Sequence, residues 1–211
     1  TTNKTPDSDD YGPDPEQDFP VGVARAQIHE NYIIAQDADG LVIVDQHAAH
    51  ERIVYEKLKN QIAQSGVASQ SLLTPEIIEL DNESLESLLN HRETLNTLGT
   101  EVESFGRGAL AVRSLPALFE GKGDIKSLIR DLADQLLAES GEDVLKEKLL
   151  NVMATQACHG SIRSGRRLNA QEINALLRQM ENSENTGQCN HGRPTYVRLS
   201  LTDIEKLFGR R

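Results

Sequence analysis

Leu41-Val42-Ile43-Val44 is an unbroken apolar run that stops at Asp45 and gives way at once to Gln46-His47-Ala48-Ala49-His50-Glu51. Four consecutive β-prone residues read as a buried strand. The segment 48–64 then takes a helical period, with Ile53, Leu58 and Ile62 as core contacts and Gly66 as the stop. A buried strand that runs straight into a helix needs neighbours on both elements, so the chain is committed to layered mixed structure. The neighbours lie just upstream. Segments 21–28 and 32–36 are short β-prone runs, and Asp37-Ala38-Asp39-Gly40 has turn chemistry, with Gly40 expected to supply a positive φ.

Downstream the pattern alternates again. Thr74-Pro75 opens a second group of elements, with Ile77 and Ile78 in a short strand. Asn82 is placed to cap a helix carrying Leu85, Leu88, Leu89 and Leu95, which ends at Gly99. Segments 102–105 and 109–115 read as a hairpin around Gly106-Arg107-Gly108. Helices follow over 124–139 and 142–157. Asn169-Ala170-Gln171-Glu172 opens another with capping-box spacing, 195–199 is a strand, and Thr202-Asp203-Ile204-Glu205 opens a short terminal helix. The fold class is α+β.

The first 20 residues differ. Pro6, Pro13, Pro15 and Pro20 stand among Asp7, Asp9, Asp10, Asp14 and Asp18, a composition that cannot bury apolar surface, so 1–20 reads as a disordered acidic linker. The chain starts at Thr1 and is expected to be a fragment.

Charge and composition exclude several functions. Lys plus Arg is 22 and Asp plus Glu is 33, a net charge of −11, which rules out a basic nucleic-acid coat. Any contact with DNA must use a local patch, for which Arg163, Arg166 and Arg167 are the candidates; the alternative is a solvated helix end. No apolar run approaches the roughly 20 residues of a spanning helix, and no secretory signal opens the chain. Two cysteines make no disulfide framework, so a reducing cytoplasm is expected. With no tryptophan and 4% aromatics, a stacking platform for single strands is disfavoured.

The densest chemical signal is Asp45 through Glu51, with Glu56 beyond. His47 and Glu51 are four apart, so on a helix they share a face and can grip one divalent ion. The alternative is a polar first turn in which Asp45 caps the helix and Glu51 is a solvated charge. In Cys189-Asn190-His191-Gly192-Arg193-Pro194, Cys189 and His191 point the same way if the chain is extended, and thiolate with imidazole suits Zn²⁺; the alternative is a small buried cysteine beside a turn. Cys158, next to His159, is a third signal or an ordinary core cysteine. Together Asp45, His47, Glu51, Cys158, Cys189 and His191 supply enough donors for more than one ion: thiolate and imidazole for Zn²⁺, carboxylates and open water positions for Mn²⁺ or Mg²⁺.

These segments resemble, in order, the C-terminal region of the bacterial MutL mismatch-repair family. Its nicking members carry Asp-Gln-His-Ala, two residues, Glu, four residues, Glu, met here by Asp45, Gln46, His47, Ala48, Glu51 and Glu56. Ala157-Cys158, Cys189 to Pro194, and Phe208-Gly209-Arg210 match its later motifs. One departure is His159, where many members have Lys or Arg; Arg163 or Arg166 could supply that charge, or His159 itself could be cationic or bind metal. The resemblance implies a latent, metal-dependent endonuclease that nicks one strand of duplex DNA without sequence specificity. Asp45, His47 and Glu51 would be catalytic and metal-binding, with Cys158, Cys189 and His191 completing the ligand set. Glu56, Arg193 and Arg210 would stand behind the ligands or position phosphate.

The resemblance further implies a homodimer. Residues 21–68 and 146–211 would form a dimerisation lobe holding the site, and 69–145 an external regulatory lobe. Gln70-Ser71-Leu72-Leu73-Thr74-Pro75 resembles the short motif with which bacterial repair proteins engage the replication sliding clamp (the beta clamp), with Gln70, Leu72, Leu73 and Pro75 as its contacts. The mismatch-recognition protein MutS would be met through the full-length protein, whose ATPase is elsewhere; no Gly-rich phosphate loop occurs here. The competing expectation is a dimerisation and clamp-binding module with a structural zinc and no turnover.

Overall fold

The structure is a computed structural model and describes residues 19–119, 124–138, 142–161, 167–190 and 192–210, without the side chains of 142–144 and 158–161. The acidic segment up to residue 18 lies outside the described residues. The fold is α+β and divides into two compact units, one drawn from residues 1–53 and 164–211, the other from 54–163.

In the first unit, β1 (Val23–Ile28), β2 (Tyr32–Gln36), β3 (Gly40–Asp45) and β7 (Tyr196–Ser200) form an antiparallel sheet in the order β1-β2-β3-β7. The β2–β3 turn is closed by Asp37, whose Oδ1 accepts from the N–H groups of Asp39 at 3.0 Å and Gly40 at 2.8 Å. Gly40 itself does not take a positive φ. It is required for a different reason: a Cβ there would lie 2.2 Å from the Leu199 carbonyl oxygen, where β3 and β7 approach.

The apolar run Leu41–Val44 is also not buried on both sides. Val42 and Val44 are 0% exposed, whereas Leu41 and Ile43 are only half-buried on the opposite face. The inner face packs on α6 (Ala170–Asn182), so that Ile173, Leu176, Leu177 and Met180 meet Ile33, Ala35, Val42 and Val44 in one core. Each Ile, Leu, Val or Met side chain among them contributes about 1.5–3 kcal/mol on burial. The start of α6 is the expected reciprocal capping box: Asn169 Oδ1 accepts from the Glu172 N–H and Glu172 Oε2 from the Asn169 N–H, both at 2.9 Å. The terminal helix α7 (Leu201–Leu207) is capped by Ser200, not at Thr202, because the Ser200 hydroxyl accepts from the Asp203 N–H.

The second unit holds a three-stranded antiparallel sheet in the order β4-β6-β5, built from β4 (Ser69–Glu79), β5 (Glu101–Ser104) and β6 (Ala109–Pro116). The β5–β6 hairpin is as expected. β4 is longer than the Ile77-Ile78 strand expected, and its register against β6 breaks between Ser71 and Glu76. The expected 82–99 helix is two helices, α2 (Asn82–Asn90) and α3 (Arg92–Thr97), broken at His91. Its cap is Asp81, not Asn82: Asp81 Oδ1 accepts from the Ser84 N–H at 2.8 Å. With α4 (Ile125–Ala138) and α5 (Glu142–Ser161) these helices bury Leu88, Leu95, Leu128, Leu132 and Leu149 against Leu110 and Val112 of β6.

Helix α1 (Gln46–Gln64) contains the division between the units. Val54, Tyr55 and Leu58 join the second core, as do Leu145, Leu149 and Leu150 of α5. The division thus falls at 53/54 and 163/164, where the sequence reading draws its lobes at 68/69 and 145/146. Among the described residues no helix is long and apolar enough to cross a membrane.

Candidate metal centre

Asp45 closes β3 and α1 starts at the next residue, so the strand-to-helix joint itself presents the acidic group. Its backbone N–H donates to the Thr195 carbonyl at 2.8 Å. Its Oδ1 accepts from the Ala48 N–H at 3.0 Å and so caps the helix. His47 and Glu51 lie four residues apart on α1 and share a face, as their spacing requires. His47 is half-buried, and Glu51 is only 5% exposed. The two halves of the polar-first-turn alternative therefore separate: Asp45 does cap the helix, but Glu51 is not a solvated charge.

The Cys189 segment is a tight turn holding a buried cysteine, which matches the alternative of a small buried cysteine beside a turn. Cys189 donates its N–H to the Arg193 carbonyl at 2.7 Å, Gly192 donates to the Cys189 carbonyl at 3.0 Å, and Gln188 pairs with Pro194. Gly192 sits at φ +75, which closes a turn of this kind without a Cβ penalty. The Cys189 thiol is 7% exposed and forms no disulfide. His191 lies outside the described residues.

One side chain joins the two segments. Asn190 Nδ2 donates to Glu51 Oε1 at 3.4 Å, and Arg52 Nη1 donates to Asn190 Oδ1 at 3.4 Å. Both bonds are long, so each is weak, but they dock the turn on the first half of α1. A second tie runs through Gln46, 2% exposed. Gln27 Nε2 donates to Gln46 Oε1 at 2.6 Å while Gln27 Oε1 accepts from the Leu168 N–H at 2.9 Å. Sequence reasoning assigned no role to Asn190, Gln46 or Gln27. Gln46 carried a signal, as an amide in the polar segment directly after a buried strand; Asn190 and Gln27 carried none.

Glu56 is 2% exposed and belongs to the second unit. The side chains of Arg167, Arg193 and Arg210 are exposed. The side chain of Cys158, and Arg163 and Arg166 entirely, lie outside the described residues. Among the described residues no three His, Cys, Asp or Glu side chains form a group able to hold an ion; the side chains of Cys158 and His191 are not among them. The donor chemistry in the first unit still suits divalent cations, with two carboxylates and an imidazole at the joint and a buried thiol in the turn docked on it.

Gln70 and Leu73 are exposed on β4, Leu73 at 106%, with Pro75 beside them, while Leu72 packs partly against the second core. Residues 72–75 fall where the register with β6 is interrupted, so the segment is a strand bulge.

Comparison with known proteins places this arrangement. The family described as the MutL C-terminal dimerisation domain matches residues 25–168. The chain belongs to this family. The DNA mismatch repair protein MutL of Caulobacter vibrioides (strain NA1000 / CB15N) is 59% identical over 195 residues, covering 92% of this chain and 30% of its own length. The MutL of Afipia carboxidovorans is 59% identical over 192 residues, 91% of this chain and 31% of its own. That of Rhodopseudomonas palustris (strain BisB18) is 57% identical over 209 residues, 98% and 35% respectively. The chain thus spans about a third of the length of these relatives.

Proposed function

We propose that this chain is the dimerising, metal-dependent nicking region of a mismatch-repair protein, acting on duplex DNA without sequence preference. The observation that carries the reading is the Asn190–Glu51 contact, which ties the Cys189–Arg193 turn to the Asp45–Glu51 segment within one unit. Asp45, His47 and Glu51 would hold the catalytic ion, Mn²⁺ or Mg²⁺, and Cys158, Cys189 and His191 a Zn²⁺. Bound there, a divalent ion supplies charge neutralisation at the phosphate and a more acidic water. The chain's own part is to orient the donors. Asp45 is fixed through its backbone to Thr195, Glu51 is buried against Asn190, and Arg193 and Arg210 are exposed and free to meet phosphate. The supporting observation for zinc is the buried thiol in a tight turn.

A homodimer through the outer face of the first sheet follows from the same reading. Paired positions put Ala26, Ile34, Ile43 and Val197 in one row across all four strands. Val197 is 48% exposed, and Ile28 and Tyr32 at the sheet's end are 45% and 44% exposed. A solvated sheet face would alternate to polar residues; this one does not, which also explains the unbroken Leu41–Val44 run. The family's description as a dimerisation domain supports formation of a dimer.

Clamp recruitment fits the β4 bulge, where Leu73 projects fully while Leu72 anchors the bulge and helps line a cavity of about 300 Å³. A net charge of −11 means that DNA is held weakly without such tethering. MutS would be engaged through the whole protein.

Nicking of supercoiled plasmid in Mn²⁺ tests the proposal. Asp45→Asn is expected to lose at least about 100-fold in rate, because even outer partners of a metal ligand are worth roughly 10–100-fold. Equal nicking by both proteins would overturn the nuclease reading and favour a dimerisation module with structural zinc.

A further inference from the structure

The residues just ahead of β1, Phe19 to Gly22, form a turn in which the Gly22 N–H donates to the Phe19 carbonyl at 2.8 Å. Two arginines from different elements close on it. Arg178 of α6 lies over the Phe19 ring, 3.6 Å from its centre, and donates through Nη2 to the Gly22 carbonyl. Arg198 of β7 donates through Nη2 to the Pro20 carbonyl. A carboxylate stands beside each guanidinium. Glu181 Oε2 is 2.9 Å from Arg178 Nε, and Glu181 Oε1 accepts from the Val21 N–H at 2.8 Å. Asp37 Oδ2 accepts from Arg198 Nη1 at 2.6 Å, while its Oδ1 closes the β2–β3 turn. Val21 is 5% exposed and belongs to the core between α6 and the sheet. All these groups lie in the first unit.

An entrance held by the apolar side chain of Val21 alone would need no charge. Bonds from guanidinium to carbonyl are charge-assisted and directional, so they set position as well as holding it. Gly22 serves the same close fit. It sits at φ +81, and a Cβ there would lie 2.4 Å from the Gln36 carbonyl oxygen at the end of β2. The acidic stretch that ends at Asp18 runs directly into this turn. We propose that Phe19–Gly22 is an arginine-held latch. Shut, it fixes the point and direction from which the acidic segment leaves the first unit. Open, it releases the root of that segment while the unit stays folded, because Ile33, Val42, Ile173 and Leu177 keep the core together without Val21. Local opening of this kind belongs to the edges of a fold. The latch concerns the entrance of the chain and does not rest on the nuclease reading.

The test is residue-resolved amide exchange with backbone amide relaxation on the full chain, and thermal melts to establish folding. Arg178→Gln/Arg198→Gln is expected to speed exchange of the Val21 and Gly22 amides about tenfold or more, the worth of one hydrogen bond to a charged group. Their order parameters are expected to fall below about 0.6, while amides of β2, β3 and α6 keep their rates. Arg198→Gln alone serves if the double variant does not fold, since that side chain is 43% exposed. Gly22→Ala opens the latch with both arginines in place and is expected to give the same pattern. Unchanged exchange at Val21 and Gly22 in a folded arginine variant would mean that core burial alone holds the turn, and overturns the proposal. Exchange that rises by one factor across the turn, β2, β3 and α6 would leave no separate open state, and overturns it as well.

Discussion

Asn190 donates a hydrogen bond to the carboxylate of Glu51 across 139 positions of sequence. It is the amide between two predicted zinc ligands, and it touches a predicted ligand of the other group. The turn around Cys189 and the first half of α1 are thereby in contact. Replacing Asn190 by Ala should remove the tie at a cost of about 1 kcal/mol and raise the alkylation rate of Cys189 several-fold, read by peptide mass spectrometry. An unchanged rate would mean that the turn holds itself closed.

The outer face of the first sheet makes a second prediction. Ile43 and Val197 are paired across β3 and β7 and point away from the α6 core. Ile43→Asp should weaken the dimer by about 30-fold or more, as expected for a central interface residue worth about 2 kcal/mol or above. Sedimentation should then give a folded monomer. A dimer of unchanged affinity would place the interface elsewhere.

The β4 bulge separates stability from recruitment. Leu73 is 106% exposed, so Leu73→Ala should change folding stability by less than about 0.5 kcal/mol and yet abolish binding to the sliding clamp, read by fluorescence anisotropy. Leu72 packs partly on the second core, and Leu72→Ala should lower both. Clamp binding that survives Leu73→Ala removes the bulge from that role.

Two caps give an acid signature. Hydrogen bonds from Ser84 hold the Asp81 carboxyl below its usual 3.8, and the Ser200 hydroxyl and Lys206 do the same for Asp203. A carboxyl whose folded pKa is lowered stabilises the fold fully above its unfolded value and loses that contribution as pH falls through the folded one. The double variant Asp81→Asn/Asp203→Asn should therefore show a shallower fall of urea midpoint below pH 4 than the parent, and the same pH dependence above pH 5. A difference confined to neutral pH would contradict the assignment.

A cap of the uncharged kind tests α6. Asn169→Ala breaks the reciprocal box with Glu172 and should cost about 1 kcal/mol, visible as a lower denaturation midpoint with an unchanged slope.

Local signals in the sequence were accurate where one residue type does one job. The capping box at Asn169, the β5–β6 hairpin and the strand-to-helix joint at Asp45 were all legible for that reason. Misreadings arose where two causes produce the same residue. Gly40 looked like a turn glycine, but the close approach of Leu199 demands it. The Leu41–Val44 run looked doubly buried, but half of it faces outward. Asp81 and Asn82 are both good caps, and only backbone geometry chose between them. The spacing of Cys189 and His191 alone could not decide between an extended chain and the turn that Gly192 closes. Asn190 and Gln27 were invisible, since an amide acquires its meaning from partners more than a hundred residues away.

The Asp45–Glu51 segment and the Cys189 turn are proposed to bind cations side by side. The most direct measurement is anomalous scattering from crystals of the chain grown with Zn²⁺ and then Mn²⁺, recorded at each absorption edge. Peaks are expected at coordination distance, about 2.0–2.3 Å, from side chains of this set, Asp45 and His47 among them. Peaks confined to other surfaces, with Asp45 still capping α1 and the Cys189 thiol untouched, would contradict it.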